Sequence, residues 1–427
     1  SHIYQDKTGH WVIQSNENHS AGVAKLASQF AGEFGMSEWG KVLGLLHDKG
    51  KETDTFQQYI KKESGYDPDI KICGKHHHAY VGGILAQKYY GKSSCNFFVN
   101  QIVSHHTGLH DSDEIKGIID QEIPSEVNIY HIKEKLNRPG LNVQANDFHH
   151  LARMLFSCLV DADFLDTEAF MDKESSALRQ NKDTLNDLLP LLENKLKDLK
   201  AKADCSEVNI IRNQIQQQCI EMADTPTGFY SLTVPTGGGK TLSSLVWAIK
   251  HAIKNGQKRV IIAIPYTSII VQTASVLRSI FGEENVLEHH SCVDPEQIKD
   301  EKLKEKMKLA TENWGYPIIV TTNVQLFESM FSNKPSACRK LHNIVNSVII
   351  LDEVQTLPMD YLQPIVDSLK TYNKLFNVSF LFTTASQPVL SGLIEGCNPK
   401  AAFNGIDHIT EIIPDEFKLH DKLRRVR

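Results

Sequence analysis

The apolar residues follow two different patterns along the chain. In the first 200 residues they recur at helical spacing, and in AGVAKLASQFAGEF they place Val23, Ala27, Ala31 and Phe34 on one helix face. The stretches FFVNQIVSHH and HLARMLFSCLVDADF predict further buried helices. The leucine- and lysine-patterned LNDLLPLLENKLKDLKAKAD predicts a solvated connecting helix, which is kinked or begins anew at Pro190.

After about residue 205 the pattern changes to short apolar runs separated by helix-like segments. The runs are GFYSLTV, RVIIAIP, PIIVTT, SVIILDE and VSFLFTT. Continuous apolar strands that alternate with helices are typical of a mainly parallel sheet buried on both faces. The sequence therefore predicts an all-α domain over residues 1–204 and an α/β domain over residues 205–427, with the boundary near Asp204.

Composition indicates a globular cytoplasmic protein of more than one domain. The chain has 427 residues, of which 41% are apolar and 23% charged. A net charge of −6 argues against a uniformly basic coat for nucleic acid, although a local basic groove remains compatible with it. The eight cysteines form no Cys-x-x-Cys pair, which predicts reduced thiols rather than a zinc ribbon. We find no secretory signal peptide and no apolar run of membrane-spanning length.

The stretch TVPTGGGKT lies between a predicted strand and a predicted helix, the context of a phosphate-binding loop. Its glycines let backbone N–H groups face phosphate oxygens at the helix N-terminus. Lys240 would reach the β- and γ-phosphates, and Thr241 would offer its hydroxyl to magnesium. The predicted nucleotide-binding residues of the loop are Pro235, Thr236, Gly237, Gly238, Gly239, Lys240 and Thr241. Val234 stands where the strict pattern has glycine, and a glycine-rich turn without nucleotide is the alternative.

The stretch SVIILDEVQ supplies the second half of an ATP site. Asp352 follows a predicted buried strand, where a carboxylate binds magnesium through water. Glu353 beside it would orient the attacking water as a base. LFTTASQP resembles a third motif of such sites, and this resemblance implies that Thr384 and Ser386 couple hydrolysis to movement.

These motifs, in this order, resemble those of superfamily-two helicases of the DExD/H type. The resemblance implies a RecA-like P-loop domain in which DEVQ takes the place of the DExD/H box. IPYTSIIVQ and VTTNVQLFES stand where such proteins grip the backbone of a single strand. Arg212 and Gln214 in IIRNQIQQQ would contact adenine, with a solvated helix face as the alternative.

Histidines and aspartates in the first half form a second set of motifs: GLLHDKGK, HHHAYVGGILA, IVSHHTGLHD and LVDADFLDTE. Each alone would more often be structural or exposed. Together, imidazoles and a carboxylate suit one or two divalent transition metals, which activate water for phosphodiester cleavage. Asp48 is the natural bridge because a carboxylate offers two oxygens. Lys51 would stabilise phosphate charge.

This second set resembles the HD phosphohydrolase superfamily. The resemblance implies the metal ligands His19, His47, Asp48, His78, His105, His106 and Asp163, with Asp161 as the alternative to Asp163. Asp163 is preferred for its Ala-Asp-aromatic context, and the two aspartates point to different faces of a helix, so only one of them binds. His78 is preferred to its two histidine neighbours because Gly82 follows four residues later.

An HD domain followed by a DExD/H helicase resembles the CRISPR-associated helicase-nuclease of type I systems. The resemblance implies ATP-driven unwinding of foreign DNA marked by Cascade with its CRISPR RNA, and cleavage of the single strand. It implies two ions of iron, manganese, nickel or cobalt in the HD site and ATP with magnesium in the helicase site. The implied catalytic residues are Asp48, Lys51 and Glu353.

That family has a second RecA-like domain, whereas this sequence stops at Arg427. We therefore expect the chain alone to bind ATP weakly without translocating. The nuclease half is expected to work alone, because its ligands all precede residue 165. The alternatives are an HD nucleotide phosphohydrolase fused to a regulatory ATPase, and a non-catalytic nucleic-acid-binding scaffold.

Overall fold

The chain folds into two compact units. The computed structural model describes residues 1–72, 78–91, 98–124, 127, 136, 140–179, 183–235, 237–291, 301–384, 390–394, 402–417 and 419. The helical unit comprises residues 1–180 and 330–342, and the sheet unit comprises residues 181–329 and 343–427. The boundary therefore lies near residue 180 rather than at Asp204, and a short segment from the second half of the sequence belongs to the helical unit.

The helical unit opens with a two-stranded antiparallel hairpin that the apolar pattern did not predict. Its elements are β1 (His2–Gln5), β2 (Trp11–Gln14), α1 (Asn16–Gly32), α2 (Ser37–Leu46), α3 (Asp54–Glu63), α4 (Ala79–Tyr90), α5 (Asn100–Val103), α6 (Ser112–Ile119), α7 (Phe148–Met171) and α8 (Lys173–Leu178). Helix α1 packs against both α2 and α7. Val23, Leu43 and Leu155 are fully buried in this core.

Helices α1 and α2 cross at backbone contact distance. A Cβ atom on Gly44 would lie 2.4 Å from the Cα of Ala24, and one on Gly40 would lie 2.2 Å from the carbonyl oxygen of Ala27. Only glycine leaves room for so close an approach. The crossing holds the residues that follow α2, His47 and Asp48, against α1.

The sheet unit is built on a parallel β-sheet. The remaining elements of the chain are α9 (Leu185–Lys202), α10 (Glu207–Glu221), β3 (Phe229–Thr233), α11 (Lys240–Lys254), β4 (Arg259–Ile264), α12 (Thr267–Phe281), β5 (Val286–His289), α13 (Glu301–Asn313), β6 (Ile318–Thr322), α14 (Asn323–Phe331), α15 (Pro335–Cys338), β7 (Ser347–Asp352), α16 (Leu362–Phe376), β8 (Ser379–Thr384), β9 (Leu393–Ile394), β10 (Phe403–Asn404) and β11 (Thr410–Glu411). Among the described residues, seven of these strands form the parallel sheet, in the order β11-β3-β8-β7-β4-β6-β5. The five predicted strands correspond to β3, β4, β6, β7 and β8.

The connecting helix belongs to the sheet unit and does not begin at Pro190. Helix α9 starts at Leu185, because Thr184 and Asp187 cap its N-terminus reciprocally. Leu188, Leu192 and Leu196 are buried in the same core as β3 and α11. This apolar face stabilises the helix despite the backbone donor that Pro190 lacks. In the described part of the chain, no helix is both long and apolar enough to cross a membrane.

We expect Gly44→Ala to lower the free energy of unfolding by about 1–3 kcal/mol, because the added methyl group collides with the backbone of α1. Gly117→Ala is the matched control. It also lies within a helix, but its Cβ would meet no atom within 4 Å, so the higher helix propensity of alanine should leave stability unchanged or raised. Denaturant unfolding of the full chain measures both, and equal effects would contradict this account of the crossing.

Candidate functional site

The buried carboxylate of Asp48 lies at the centre of the histidine motifs. It follows α2 directly and its side chain is 1% exposed. Lys51, one turn further on, places its Nζ 2.7 Å from Asp48 Oδ2. Burial alone would raise the pKa of Asp48, but His47 and Lys51 outweigh this effect and hold it well below its usual range. The carboxylate is therefore ionised.

Each oxygen of Asp48 faces its own group of metal-ligating side chains. Oδ1 lies 3.3 Å from His78 Nε2 and 3.5 Å from His105 Nε2, and His106 Nε2 lies 3.1 Å from His78 Nε2. We call these side chains the first donor group, and their ligand atoms all lie within 4.8 Å of one another. His106 is exposed, so this group is open to solvent.

The second donor group surrounds Asp48 Oδ2. His19 Nε2 and His47 Nε2 lie 3.4 Å and 3.3 Å from that oxygen. Asp163 completes the group with its Oδ1 3.1 Å from His19 Nε2 and 3.7 Å from His47 Nε2. All the ligand atoms again lie within 4.8 Å of one another. The structure thus brings together seven of the eight metal ligands named from the sequence.

The imidazoles are oriented with Nε2 towards Asp48. His47 Nδ1 lies 2.8 Å from the carbonyl of Gly44, and His105 Nδ1 lies 2.7 Å from the carbonyl of Ile102. A carbonyl only accepts, so Nδ1 carries a proton and Nε2 is the nitrogen that faces the cluster. Among the described residues, the buried Nε2 atoms of His47 and His105 find no hydrogen-bond partner. Buried imidazole nitrogens gathered around a shared carboxylate fit a divalent cation.

Sequence reasoning missed Asp166, which orients His19. Its Oδ2 lies 2.7 Å from His19 Nδ1 and accepts a 2.8 Å hydrogen bond from Gln14 Nε2. Gly22 makes room for it, because a Cβ there would lie 1.9 Å from Asp166 Oδ1. The only signal in the sequence is the spacing of three residues from Asp163, which places both carboxylates on one side of α7.

The two donor groups differ in electrostatics. Burial opposes protonation of His19, but its hydrogen bonds to Asp163, Asp166 and Asp48 raise its pKa to about 10. The pKa of His106 is lowered to about 3 by desolvation and by the neighbouring histidines. The second group therefore attracts cations more strongly, and a metal ion that binds there has to displace protons.

Asp161, the alternative ligand, lies away from the cluster. Its Oδ1 accepts from Arg339 Nε at 2.8 Å and its Oδ2 lies 2.9 Å from His342 Nε2. Residues two apart on a helix point to different sides, which separates Asp161 from Asp163. The two histidines rejected in favour of His78 lie outside the described residues.

The phosphate-binding loop joins β3 to α11, as its pattern predicts. Gly237 and Gly239 have φ values of +90° and +82°, which glycine adopts without strain. Lys240 opens α11 and its Nζ lies 3.0 Å from Asp352 Oδ1, in contact with Glu353 as well. Partial burial alone would lower the pKa of Lys240, but these two carboxylates raise it. Thr236 lies outside the described residues.

Strand order explains how the other ATP motifs meet the loop. Strand β8 lies between β3 and β7, so the carboxyl ends of all three strands adjoin. Thr383 Oγ1 donates to Asp352 Oδ1, and Thr384 Oγ1 donates to Gln355 Oε1 at 2.8 Å. Gln355 Nε2 in turn donates to Glu353 Oε2 at 2.6 Å. A polar chain thus links the end of β8 to the predicted general base.

Of the two predicted adenine contacts, the structure brings only Arg212 to the loop. Its Nε donates a 2.8 Å hydrogen bond to the carbonyl of Gly237, and it lines a cleft of about 460 Å³ with Asn213, Gln216 and Leu242. Gln214 is exposed and points to another side of α10 from Arg212. Gln216, one turn after Arg212, lines the same cleft and is therefore better placed than Gln214 to contact adenine.

Comparison with known families agrees with this geometry. The HD domain family matches residues 16–138, and the DEAD/DEAH box helicase family matches residues 213–391. This chain joins an HD domain to a DEAD/DEAH box helicase domain. The predicted fold class, helical and then α/β, is confirmed. An HD domain implies a divalent metal, and a helicase domain of this class implies ATP with magnesium.

Similar curated proteins carry the name CRISPR-associated nuclease/helicase Cas3. That of Haloferax volcanii is 29% identical over 188 residues, covering 39% of this chain and 20% of its own length. That of Methanothermobacter thermautotrophicus is 24% identical over 221 residues, covering 46% and 26%. The chain thus aligns with about a quarter or less of these relatives. The crystal structure of T. fusca Cas3 shares the fold, with a TM-score of 0.56, 15% identity and coverage of 86% of this chain and 47% of that one.

We expect Gly22→Ala to weaken Mn²⁺ binding about 10- to 100-fold, because the methyl group displaces Asp166 and leaves His19 without its orienting carboxylate. Gly32→Ala is the matched control in the same helix, since its Cβ would come no closer than 3.8 Å to Ser37. Isothermal titration calorimetry on the full chain measures both affinities. Unchanged binding in Gly22→Ala would show that Asp166 does not support the cluster.

Proposed function

We propose that this chain contains a metal-dependent DNA nuclease and the ATP-binding domain of a helicase that act in type I CRISPR interference. The observation that carries the proposal is the pair of donor groups that share the buried Asp48 carboxylate. Two adjacent cation sites with one open side suit hydrolysis of a phosphodiester. The pairing of an HD domain with a helicase domain, and the name of the relatives, support the biological role.

In the nuclease site, the protein's own groups hold and orient the reactants. Divalent cations held by the two donor groups would supply a water of lowered pKa and stabilise the leaving oxygen. Asp48 bridges the donor groups, and the Nε2 atoms of the histidines fix the geometry. Lys51, with its ammonium 2.7 Å from Asp48, adds positive charge for the scissile phosphate. DNA approaches from the side of His106, which is exposed.

In the helicase domain, Lys240 exchanges its carboxylate partners for ATP phosphates. Asp352 would then hold magnesium, and Glu353 would orient the water that attacks the γ-phosphate. The hydrogen bonds from Thr384 to Gln355 and from Gln355 to Glu353 connect this base to the end of β8. Within a complete helicase with two RecA-like domains, this link transmits hydrolysis to DNA movement.

The proposed substrate is DNA, as a single strand or as a duplex unwound by the helicase. Recruitment by Cascade with its CRISPR RNA, in the cytoplasm, completes the proposed role. The metal ions are iron, manganese, nickel or cobalt, because imidazole and carboxylate ligands accept each of them.

Circular single-stranded DNA tests the nuclease, since it has no ends and its cleavage must be endonucleolytic. After a chelator has removed bound metal from the protein, we expect it to cleave this DNA once Mn²⁺, Ni²⁺ or Fe²⁺ is supplied. Asp48→Ala removes the shared carboxylate, so its cleavage rate should be lower by about 100-fold or more. His110→Ala is the control, because His110 contacts Thr107 and Glu114 outside both donor groups.

Free nucleotides in the same assay separate the alternatives. A preference for nucleotides over DNA would favour a phosphohydrolase. A folded, metal-loaded protein that cuts neither substrate would favour a scaffold.

Lys240→Ala should weaken ATP binding about tenfold or more, because a charged hydrogen bond to phosphate is lost. Lys250→Ala is the matched control: Lys250 lies in the same helix and pairs with Glu193 at 2.6 Å. Equilibrium titration with a fluorescent ATP analogue measures both. Equal affinities in the two variants would argue against a nucleotide site at this loop.

A further inference from the structure

Residues 330–342 lie in the helicase half of the sequence but fold as part of the helical unit. We call them the inserted segment. They begin with the last two residues of α14 and precede β7, the strand that ends at Asp352. Within the helical unit they stack His342 on Phe30 of α1, and they also contact two parts of the chain that carry or adjoin donors of the candidate metal centre.

The first contact is with the turn that follows His105 and His106. The Leu109 N–H donates to the carbonyl of Asn333 at 2.9 Å, and Asn333 Nδ2 donates back to the carbonyl of Leu109 at 3.2 Å. Gly108 has φ +104°, and a Cβ there would lie 2.8 Å from the Asn333 carbonyl. The turn therefore fits closely against the inserted segment, two residues after the first donor group.

The second contact is with helix α7, which carries Asp163. Asp161 is fully buried and receives Arg339 Nε at 2.8 Å and His342 Nε2 at 2.9 Å. The backbone N–H of His342 donates to the Oγ of Ser157 at 2.9 Å, and Ser157 lies one turn before Asp161 in α7. A buried carboxylate needs such partners, because it would otherwise lack both water and a compensating charge.

Asp161 and Asp163 hold α7 from two sides. They are two residues apart, so one faces the inserted segment while the other faces the second donor group. Rotation or sliding of α7 that would move Asp163 out of the cluster would also break the pairs of Asp161. The inserted segment thus contacts one donor-bearing element of each group, the turn for the first and α7 for the second.

We propose that the inserted segment is a structural part of the metal centre, and that Asn333, Arg339 and His342 are positioning residues that set the separation of the two donor groups. The proposal rests on the proposed function only for the statement that the cluster binds divalent metal. It also affects the expectation that the nuclease half works alone. Residues 1–204 lack the inserted segment, so in them Asp161 would lose both Arg339 and His342.

The test uses the full chain and Mn²⁺ as the probe. We expect Arg339→Gln to weaken at least one of two Mn²⁺ sites about tenfold or more in calorimetry, and to reduce the spin-coupled Mn²⁺ pair seen by electron paramagnetic resonance. The matched control is Arg179→Gln. Arg179 donates two hydrogen bonds of 2.7 Å to the carboxylate of Glu168, near the C-terminal end of α7. That variant should keep both sites and the coupled signal.

A double variant separates positioning from general destabilisation. Asp161→Asn with Arg339→Gln removes both charges and lets two amides hydrogen-bond, so Mn²⁺ affinity should return towards that of the parent. Parent-like Mn²⁺ binding in Arg339→Gln would overturn the proposal. So would equal loss in Arg339→Gln and Arg179→Gln, or a double variant no better than the single one.

Cleavage of circular single-stranded DNA distinguishes this proposal from the proposed function. A parent that binds two Mn²⁺ ions without cutting, with the binding lost in Arg339→Gln, would refute the nuclease and support the positioning role. An active parent whose Arg339→Gln variant binds Mn²⁺ equally well would support the nuclease and refute the positioning role. A parent that binds none of Mn²⁺, Ni²⁺ and Fe²⁺, the ions supplied in that assay, would overturn both.

Discussion

The buried carboxylate of Asp48 is the constraint on which the helical unit depends. An ionised group without water is costly unless charges and hydrogen-bond donors surround it. Here Lys51 lies beside one oxygen and imidazoles surround both. The helices that supply these groups must therefore converge on one point. The same concentration of lone pairs makes the site attractive to divalent cations.

Close helix packing makes this convergence possible. The glycines at the α1–α2 crossing bring His19 close to His47 and Asp48. Two further glycines, Gly50 and Gly82, bring His78 to the same cluster. A Cβ on Gly82 would lie 1.9 Å from the Leu46 carbonyl, and one on Gly50 would lie 2.2 Å from the His78 carbonyl. Small residues that appear structural in the sequence thus determine the geometry of the donors.

The sheet unit solves a comparable problem with parallel strands. Lys240, Asp352 and Thr383 are far apart in sequence but end neighbouring strands or begin the helix that follows one. Opposite charges compensate one another there, so carboxylates hold the loop in place through Lys240. Both units therefore assemble polar groups that stabilise each other in the fold and are suited to a charged ligand.

The sequence by itself determined the classes of structure and chemistry, because these depend on local spacing. Helical periodicity, apolar strands and the loop TVPTGGGKT predicted the two units, and the histidine motifs named seven side chains that the fold gathers. Tertiary structure decided what depends on contacts between distant residues. It separated Asp161 from Asp163, added Asp166, placed the helix containing Pro190 on the sheet and folded residues 330–342 into the helical unit. No local pattern specifies such pairings, because each depends on which side of a helix meets which remote partner.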